Sequence, residues 1–416
     1  MKKKAFLSVI VLFALVLVSC APAAAPAEEA PAAEEAAPAE EAAADDPCEG
    51  DWGCAVIEPG QTVKIGMSSP MTGPYADFGI DAENSGLIAV ADAGDVEGWA
   101  FELIAEDDEG GAEGGAAVAN KLVADPTFVA LAGALFSGAT AAGIPIYEEA
   151  GVPMLSPSAT AAFLTQEGSA VFNRVPFTDP IQGAAAASYM YDDLGFRTIA
   201  VLHDGEDYGK GLATTVKDEF EALGGTVTTF EGITAGEADY TPILSTIAVD
   251  SPEAIYFGGY NQEGAVLTNQ MKAVGLEDAI FFGCDGTWGL DYLTQTGANG
   301  EGSVHANTRK PPESEALAAF DAAYEAAYGV GPVVLSPFSY NSYDCTTILA
   351  NAVKSVAFVG DDGNLYVPRA ELVETVRATN GYVGLSGAIT CNEIGECNEE
   401  GPAFESIVDG AWVVVK

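Results

Sequence analysis

The sequence predicts an α/β fold built as two doubly wound, parallel-sheet lobes. Three observations carry this. From residue 61 onward, short β-branched runs alternate with amphipathic helical stretches, the pattern of parallel strands covered on both faces. The series is too long for one open sheet, and the part that can fold has room for two domains of ordinary size. Small, hydroxylic and glycine residues follow strand after strand, at the sheet edge where open α/β folds bind ligands.

In chain order, Lys2, Lys3 and Lys4 precede an apolar run over 5–18, then Ser19 and Cys20. The run is about 14 residues, short of the roughly 20 that a membrane span needs. A basic start, a short apolar core and a cysteine after a small residue read as a lipoprotein export signal over 1–20, with Cys20 lipid-modified. An ordinary secretory peptide cut nearby and a short membrane anchor are the alternatives. The expected location is extracytoplasmic, lipid-anchored to the cell membrane. Residues 21–54 open with Ala/Pro/Glu repeats; proline breaks helix, like charges repel, and nothing larger than alanine is there to bury. This segment is expected to be a disordered acidic tether.

Strands are expected over 63–67, 101–105, 128–132, 152–155, 198–202, 254–257 and 279–282. Helices are expected over 114–124, 139–149, 181–194, 209–223 and 262–274. Crossovers should be right-handed. The loops after the strands include Ser68–Tyr75, Gly133–Thr140, Ser156–Thr160, His203-Asp204, Gly258–Tyr260 and Gly283–Gly286. Each alone reads as a turn or a helix cap; six with the same habit favour a site, because helix starts offer free N–H groups to an anion.

Seven cysteines suit an oxidising compartment. Cys48 and Cys54 share their spacing with Cys391 and Cys397, which suggests two local disulfides. Zinc competes, but there are only two histidines and neither is near these pairs. Cys284 and Cys345 are left as buried thiols or a third bridge, the thiols being the better reading.

The formal charge is −46, and removing the basic leader makes it more negative. Such a field repels nucleic acid, and no nucleic-acid partner is expected. The chain has no phosphate loop with its lysine, no nucleophile elbow and too few histidines for a hydrolase triad. Asp361-Asp362-Gly363-Asn364 lacks the ligand order of a calcium loop and reads as a polar turn. No metal, cofactor or enzymatic activity is expected.

Segments in order across the chain now matter together: "SSPMTGPYADFG", "AAVANKLV", "GALFSGAT", "IYEEAGVPMLSPSAT", "VLHDGEDYGKGLA", "GITAGEADY", "YFGGYNQEG" and "FFGCDGTWG". This series resembles the periplasmic leucine/isoleucine/valine-binding proteins, extracytoplasmic receptors of branched-chain amino-acid ABC transporters. The resemblance implies the type I periplasmic binding fold, with two lobes joined by a hinge and closing on a ligand that a permease then receives. It places lobe 1 at 55–178 and 304–383, and lobe 2 at 179–303 and 384–416.

Carried over by position, the resemblance implies that Ser137 and Thr160 bind a ligand carboxylate, with Ser158 adding backbone or hydroxyl contacts. Hydroxyls and helix-start N–H groups suffice for that anion. Asp285 falls where the family pairs an acid with the α-ammonium, a cation that needs a fixed acceptor once desolvated. Tyr208 and Tyr260 match second-lobe tyrosines, and Phe136, Phe78 and Phe338 would form an apolar wall. The family acid is commonly glutamate, and Phe78 stands where tyrosine is usual; both departures bear on ligand identity. The leading expectation is an amino-acid receptor of an ABC importer, with leucine, isoleucine or valine first. The alternatives are an amide, urea or aromatic-acid receptor of the same fold, and then an exported hydrolase or a structural surface protein.

Overall fold

A computed structural model describes residues 47–398 and 400–416. The expected export signal, the Cys20 lipidation site and most of the expected tether lie outside the described residues. Within the tether's expected span, however, the folded body has already begun. Cys48 is bonded to Cys54, and Cys54–Ile57 pairs antiparallel with Leu365–Pro368. The tether therefore ends earlier than 54, because a disulfide and a strand ladder claim its last residues. Among the described residues, no helix is long and apolar enough to cross a membrane.

Two main sheets organise the chain. The first runs Asp95–Val96, Trp99–Asp107, Val63–Ser69, Phe128–Ala132, Met154–Ser156 and Phe172–Arg174 in spatial order. It is parallel except for the Asp95–Val96 edge. The second runs Thr226–Gly232, Thr198–His203, Ala254–Gly258, Ile280–Gly283 and Val304–Asn307, all parallel, and ends in the antiparallel pair Ala403–Val408 and Ala411–Val414.

Phe128–Ala132 and Ala254–Gly258 are buried at every position, as strands covered on both faces should be. The covers are amphipathic helices. Ala76–Ala93 and Ser339–Val356 pack together beside the first sheet, while Ala112–Val123 and Ser137–Ala150 share a separate apolar cluster with it. In the second sheet Ile199 and Val201 enter one cluster and Ala200 and Leu202 another, the alternation that a strand imposes.

Two expected lobe boundaries move. Val304–Asn307, expected with lobe 1, is a fully buried strand of the second sheet, paired with Ile280–Gly283 and Ala403–Val408. Residues 384–397, expected with lobe 2, stay with the first sheet. Leu385 donates its N–H to Asp344, and Arg174 and Cys397 exchange backbone bonds with the same loop. For Val304–Asn307 the cause is ladder pairing, which a short run containing His305 and Asn307 does not advertise; for 384–397 it is the Asp344 side chain and a single bridge between Arg174 and Glu396. The chain thus passes between the sheets after Arg174, after Asn307 and after Cys397. Arg309 ties two of these passages together by donating Nε–H to the Gly401 carbonyl at 2.8 Å.

Both expected disulfides are formed, and Cys284 and Cys345 are free and buried. The 361–364 segment is the turn between Phe358–Val359 and Leu365–Pro368, closed by the Asn364 N–H on Asp362.

Several acids are buried as structural ties. Asp81 accepts from the hydroxyls of Tyr324, Ser336 and Ser339, joining segments far apart in sequence. Asp344 holds the 385–386 backbone, and Asp108 accepts from Ser68 and Gly110. Burial pushes each of these carboxyls up to about 6 despite the hydrogen bonds, and Asp204 up to about 7. An acid whose pKa is raised on folding binds protons more tightly in the native state. Stability therefore rises as pH falls through the folded pKa, until the unfolded value near 4 is reached. The melting temperature is expected to be higher at pH 5 than at pH 8, by several degrees. A melting temperature lower at pH 5 than at pH 8 would contradict this. Carboxylates held low by partners, such as Asp125 beside Lys64, withdraw their contribution only at lower pH.

Candidate ligand-binding cleft

The loops at the carboxyl ends of the two sheets face each other and meet. From the first sheet, the strand Phe128–Ala132 runs through Gly133–Phe136 into the helix Ser137–Ala150. Met154–Ser156 runs into the loop carrying Ser158 and Thr160. From the second sheet, Thr198–His203 leads to the helix Asp207–Ala222 with Tyr208 in its first turn. Ala254–Gly258 leads to Tyr260, and Ile280–Gly283 to Cys284 and Asp285. Each strand is largely buried, so its end residue is placed by the sheet and the next side chain is presented at the edge.

Tyr260 is the meeting point. Its ring stacks on Phe136 with centroids 4.2 Å apart and planes at 15°. Phe78 meets Phe136 edge-on at 5.5 Å, and Tyr208 lies 5.3 Å from Tyr260. Tyr75, not among the expected site residues, completes the group at 5.0 Å from Tyr260. Its hydroxyl reaches Glu263 of the second sheet's helix Asn261–Met271 at 3.3 Å. Of the three phenylalanines expected in the wall, Phe78 and Phe136 share ring contacts, and Phe338 lies in the same apolar core, where among the described residues no ring contact joins it to the others.

The hydroxyls divide by what they already hold. Ser158 donates to the Leu135 carbonyl at 2.6 Å, and Ser156 to the Ala134 carbonyl at 2.6 Å. Ser158 thus fastens one loop to another, and its expected ligand contact has no free hydroxyl proton behind it. Ser137 Oγ accepts from the Ala161 N–H at 3.3 Å, which leaves its own proton to donate. Thr160 Oγ1 is buried and unpartnered. Of the three, Thr160 and Ser137 retain donors.

Asp285 is buried and doubly held. Tyr208 donates to its Oδ1 at 2.5 Å and Gln182 Nε2 to the same oxygen at 2.7 Å, while Gln182 Oε1 accepts from the Asp285 N–H. Gly286 makes this possible: a Cβ there would sit 2.6 Å from the Gly259 carbonyl and 3.0 Å from the Tyr208 ring. Burial raises the Asp285 carboxyl, and its bonds to Tyr208 and Gln182 oppose the rise. The neighbouring Cys284 thiol is pushed up to about 12, by burial first and then by Asp285. It is a protonated, structural thiol that donates to the Gly259 carbonyl at 3.2 Å.

Sequence reasoning passed over Asp179 and Gln182. Both lie at the start of the helix Asp179–Ser188, where an acid reads as an ordinary first-turn residue. Arg174 was passed over as well; it is fully buried and donates to the Ala161 carbonyl, Thr165 and Glu396. Among the described residues, no group of three or more His, Cys, Asp or Glu is arranged to hold a metal ion.

A family model of periplasmic binding proteins matches residues 62–395. The leucine-, isoleucine-, valine-, threonine- and alanine-binding protein of Pseudomonas aeruginosa is 32% identical over 77% of this chain and 86% of its own length. The leucine-specific-binding protein of Salmonella typhimurium is 29% identical over 85% of this chain and 93% of its own. Among solved structures, the leucine binding protein LivK of Thermotoga maritima is similar with a TM-score of 0.78 at 28% identity, covering 85% of this chain and 98% of that one. The branched-chain amino acid transporter substrate binding protein LivJ of Streptococcus pneumoniae, in complex with isoleucine, gives 0.74 at 26%, covering 85% and 99%.

Proposed function

This chain belongs to the periplasmic binding protein family, and from that membership we propose that it is the substrate-binding lipoprotein of an ABC importer for a small amino acid, leucine, isoleucine or valine first. The family is extracytoplasmic and its members here are receptors rather than enzymes. The observation that carries the ligand class is the division of chemistry across the cleft. One side offers Ser137, Thr160 and the start of the helix Ser137–Ala150; the other offers the buried acid Asp285. A zwitterion needs both, and the cluster of Phe78, Phe136, Tyr75 and Tyr260 supplies an apolar surface for its side chain.

Closure is the proposed mechanism. Ligand carboxylate and ammonium would each be held from a different sheet, so the bound form is favoured only when the two come together. The lipid on Cys20 would keep the receptor near its permease.

A neutral ligand is the second reading, because Asp285 is already hydrogen-bonded by Tyr208 and Gln182. Thermal shift against the amino acids, short amides and aromatic acids separates the two. Leucine, isoleucine or valine at about a hundred times its Kd should add roughly 2.7 kcal/mol and raise the melting temperature by several degrees. A rise with an uncharged amide and none with any amino acid would reject the leading ligand.

A further inference from the structure

Asp179 is 2% exposed, and neither carboxylate oxygen has a partner at full hydrogen-bond geometry, although the Thr160 hydroxyl stands close enough to favour its ionised form. A native protein leaves a buried carboxyl in that condition for a reason. Its backbone N–H is fixed on the Thr160 carbonyl at 3.0 Å, so it stands beside the unpartnered Thr160 hydroxyl, within the cleft. Gln182 lies three residues on, on the same face of the helix Asp179–Ser188. Its amide is clamped on both the carboxylate and the N–H of Asp285. One helical turn therefore brings Asp179 and Asp285 together across the junction of the two sheets.

The other charged and titratable groups that face Asp179 do not neutralise it. Arg174, on the strand Phe172–Arg174, spends its terminal nitrogens on Ala159, Ala161, Thr165 and Glu396; its charge favours ionised Asp179 but is outweighed by burial and by Asp285. Tyr208, on the helix Asp207–Ala222, is committed to Asp285 and Cys284. Tyr256, on the strand Ala254–Gly258, has a buried and unpartnered hydroxyl whose proton the nearby acids help to retain. Two carboxylates that share a buried site resist being ionised together, because each raises the cost of charging the other.

We propose that Asp179 and Asp285 form one acid pair that shares a single proton, and that a cationic amine entering beside them displaces this proton into solvent. The inference rests on the amino-acid reading of the cleft. The balance is simple: the ammonium brings one positive charge, the pair becomes doubly negative, and one proton leaves to the buffer. Thr160 Oγ1 is placed to donate to the newly ionised Asp179. Asp179 thus adds a second negative charge to the selection for a cation that Asp285, held by Tyr208 and Gln182, begins. The pH range in which this operates runs up to the Asp179 carboxyl, pushed up to about 8 by burial first and by Asp285 second.

Calorimetry with L-leucine in two buffers of different ionisation enthalpy at pH 7 reads the proton directly. About one proton should be released per leucine bound, and affinity should tighten by up to about tenfold per pH unit as pH rises toward 8. In Asp179→Asn the release should vanish and the pH profile flatten. Leucine that binds wild type without releasing a proton overturns the acid pair and leaves the amino-acid reading standing. A measurement without ligand covers the opposite case. With carbon-13-labelled aspartate, one carboxyl resonance titrating near or above neutral pH should be lost in Asp179→Asn. If leucine fails to bind yet that resonance is present, the ligand reading falls and the pair stands. If Asp179 is ionised throughout pH 6–9, the proposal is wrong.

Discussion

Replacing Asp285 by asparagine should lower the affinity for leucine by about a hundredfold or more while leaving the fold intact. Asparagine keeps the shape, and its carbonyl can still accept from Tyr208 Oη and Gln182 Nε2, the two donors that hold Asp285 Oδ1. What it removes is the charge. A desolvated ammonium facing a neutral amide loses the partner that repays its dehydration, and breaking a buried ion pair on one side typically costs about 3–5 kcal/mol. The protein alone should respond in the opposite direction. Burial already disfavours ionised Asp285, so the variant should melt at the same temperature or higher. Calorimetry and thermal melting together check both halves. Leucine affinity within a few fold of wild type would remove Asp285 from the ammonium site; a large drop in melting temperature would make it structural.

The second large effect is expected at Arg174, on stability. Its guanidinium is fully buried and donates to Ala161 at 2.7 Å, Thr165 at 2.7 Å and Glu396 at 3.0 Å. Its backbone exchanges bonds with Gly395 and Cys397 inside the disulfide loop. Burial lowers the pKa of the guanidinium and Glu396 opposes the change, but arginine stays charged. Arg174→Leu would remove the guanidinium from the Ala161 carbonyl and the Thr165 hydroxyl and leave the half-buried Glu396 without its cation, held by Thr165 alone. The expected loss is about 3–5 kcal/mol, seen as a lower denaturation midpoint in urea. Arg174→Lys keeps the charge but has one nitrogen where the fork used two, and should recover only part of it. A leucine variant within about 0.5 kcal/mol of wild type would show that this network is dispensable.

How much of this was legible from residues alone depends on what each residue type advertises. Strands such as Phe128–Ala132 and Ala254–Gly258 are continuous apolar runs, and they sit within a residue of where the pattern put them. Val304–Asn307 hid itself, because His305 and Asn307 look like loop residues. His305 is in fact buried and held neutral, its pKa pushed down to about 3 by burial, with Thr287 on its Nδ1.

In the cleft, the family pattern pointed to Asp285 and to the hydroxyls of Ser137, Ser158 and Thr160. It could not tell Ser158, whose proton is spent, from Thr160, whose hydroxyl is unpartnered. That distinction lives in hydrogen-bond partners several elements away. Asp179 was invisible for a different reason: an acid in a helix's first turn is commonplace, and only its burial marks it out.

The three passages between sheets have a bearing on how the molecule is made. Neither half is a continuous stretch of chain, so the order of synthesis is not the order of completion. The first sheet is laid down by Arg174, yet the arginine's loop partners arrive only with residues 391–397. The second sheet has its five parallel strands by Asn307, but Val304–Asn307 remains a bare edge until Ala403–Val408 pairs with it. An unpaired edge is a template for wrong partners, and contacts this distant in sequence form slowly. The nascent protein therefore carries two unfinished halves for most of its length, and about the last two dozen residues seal both.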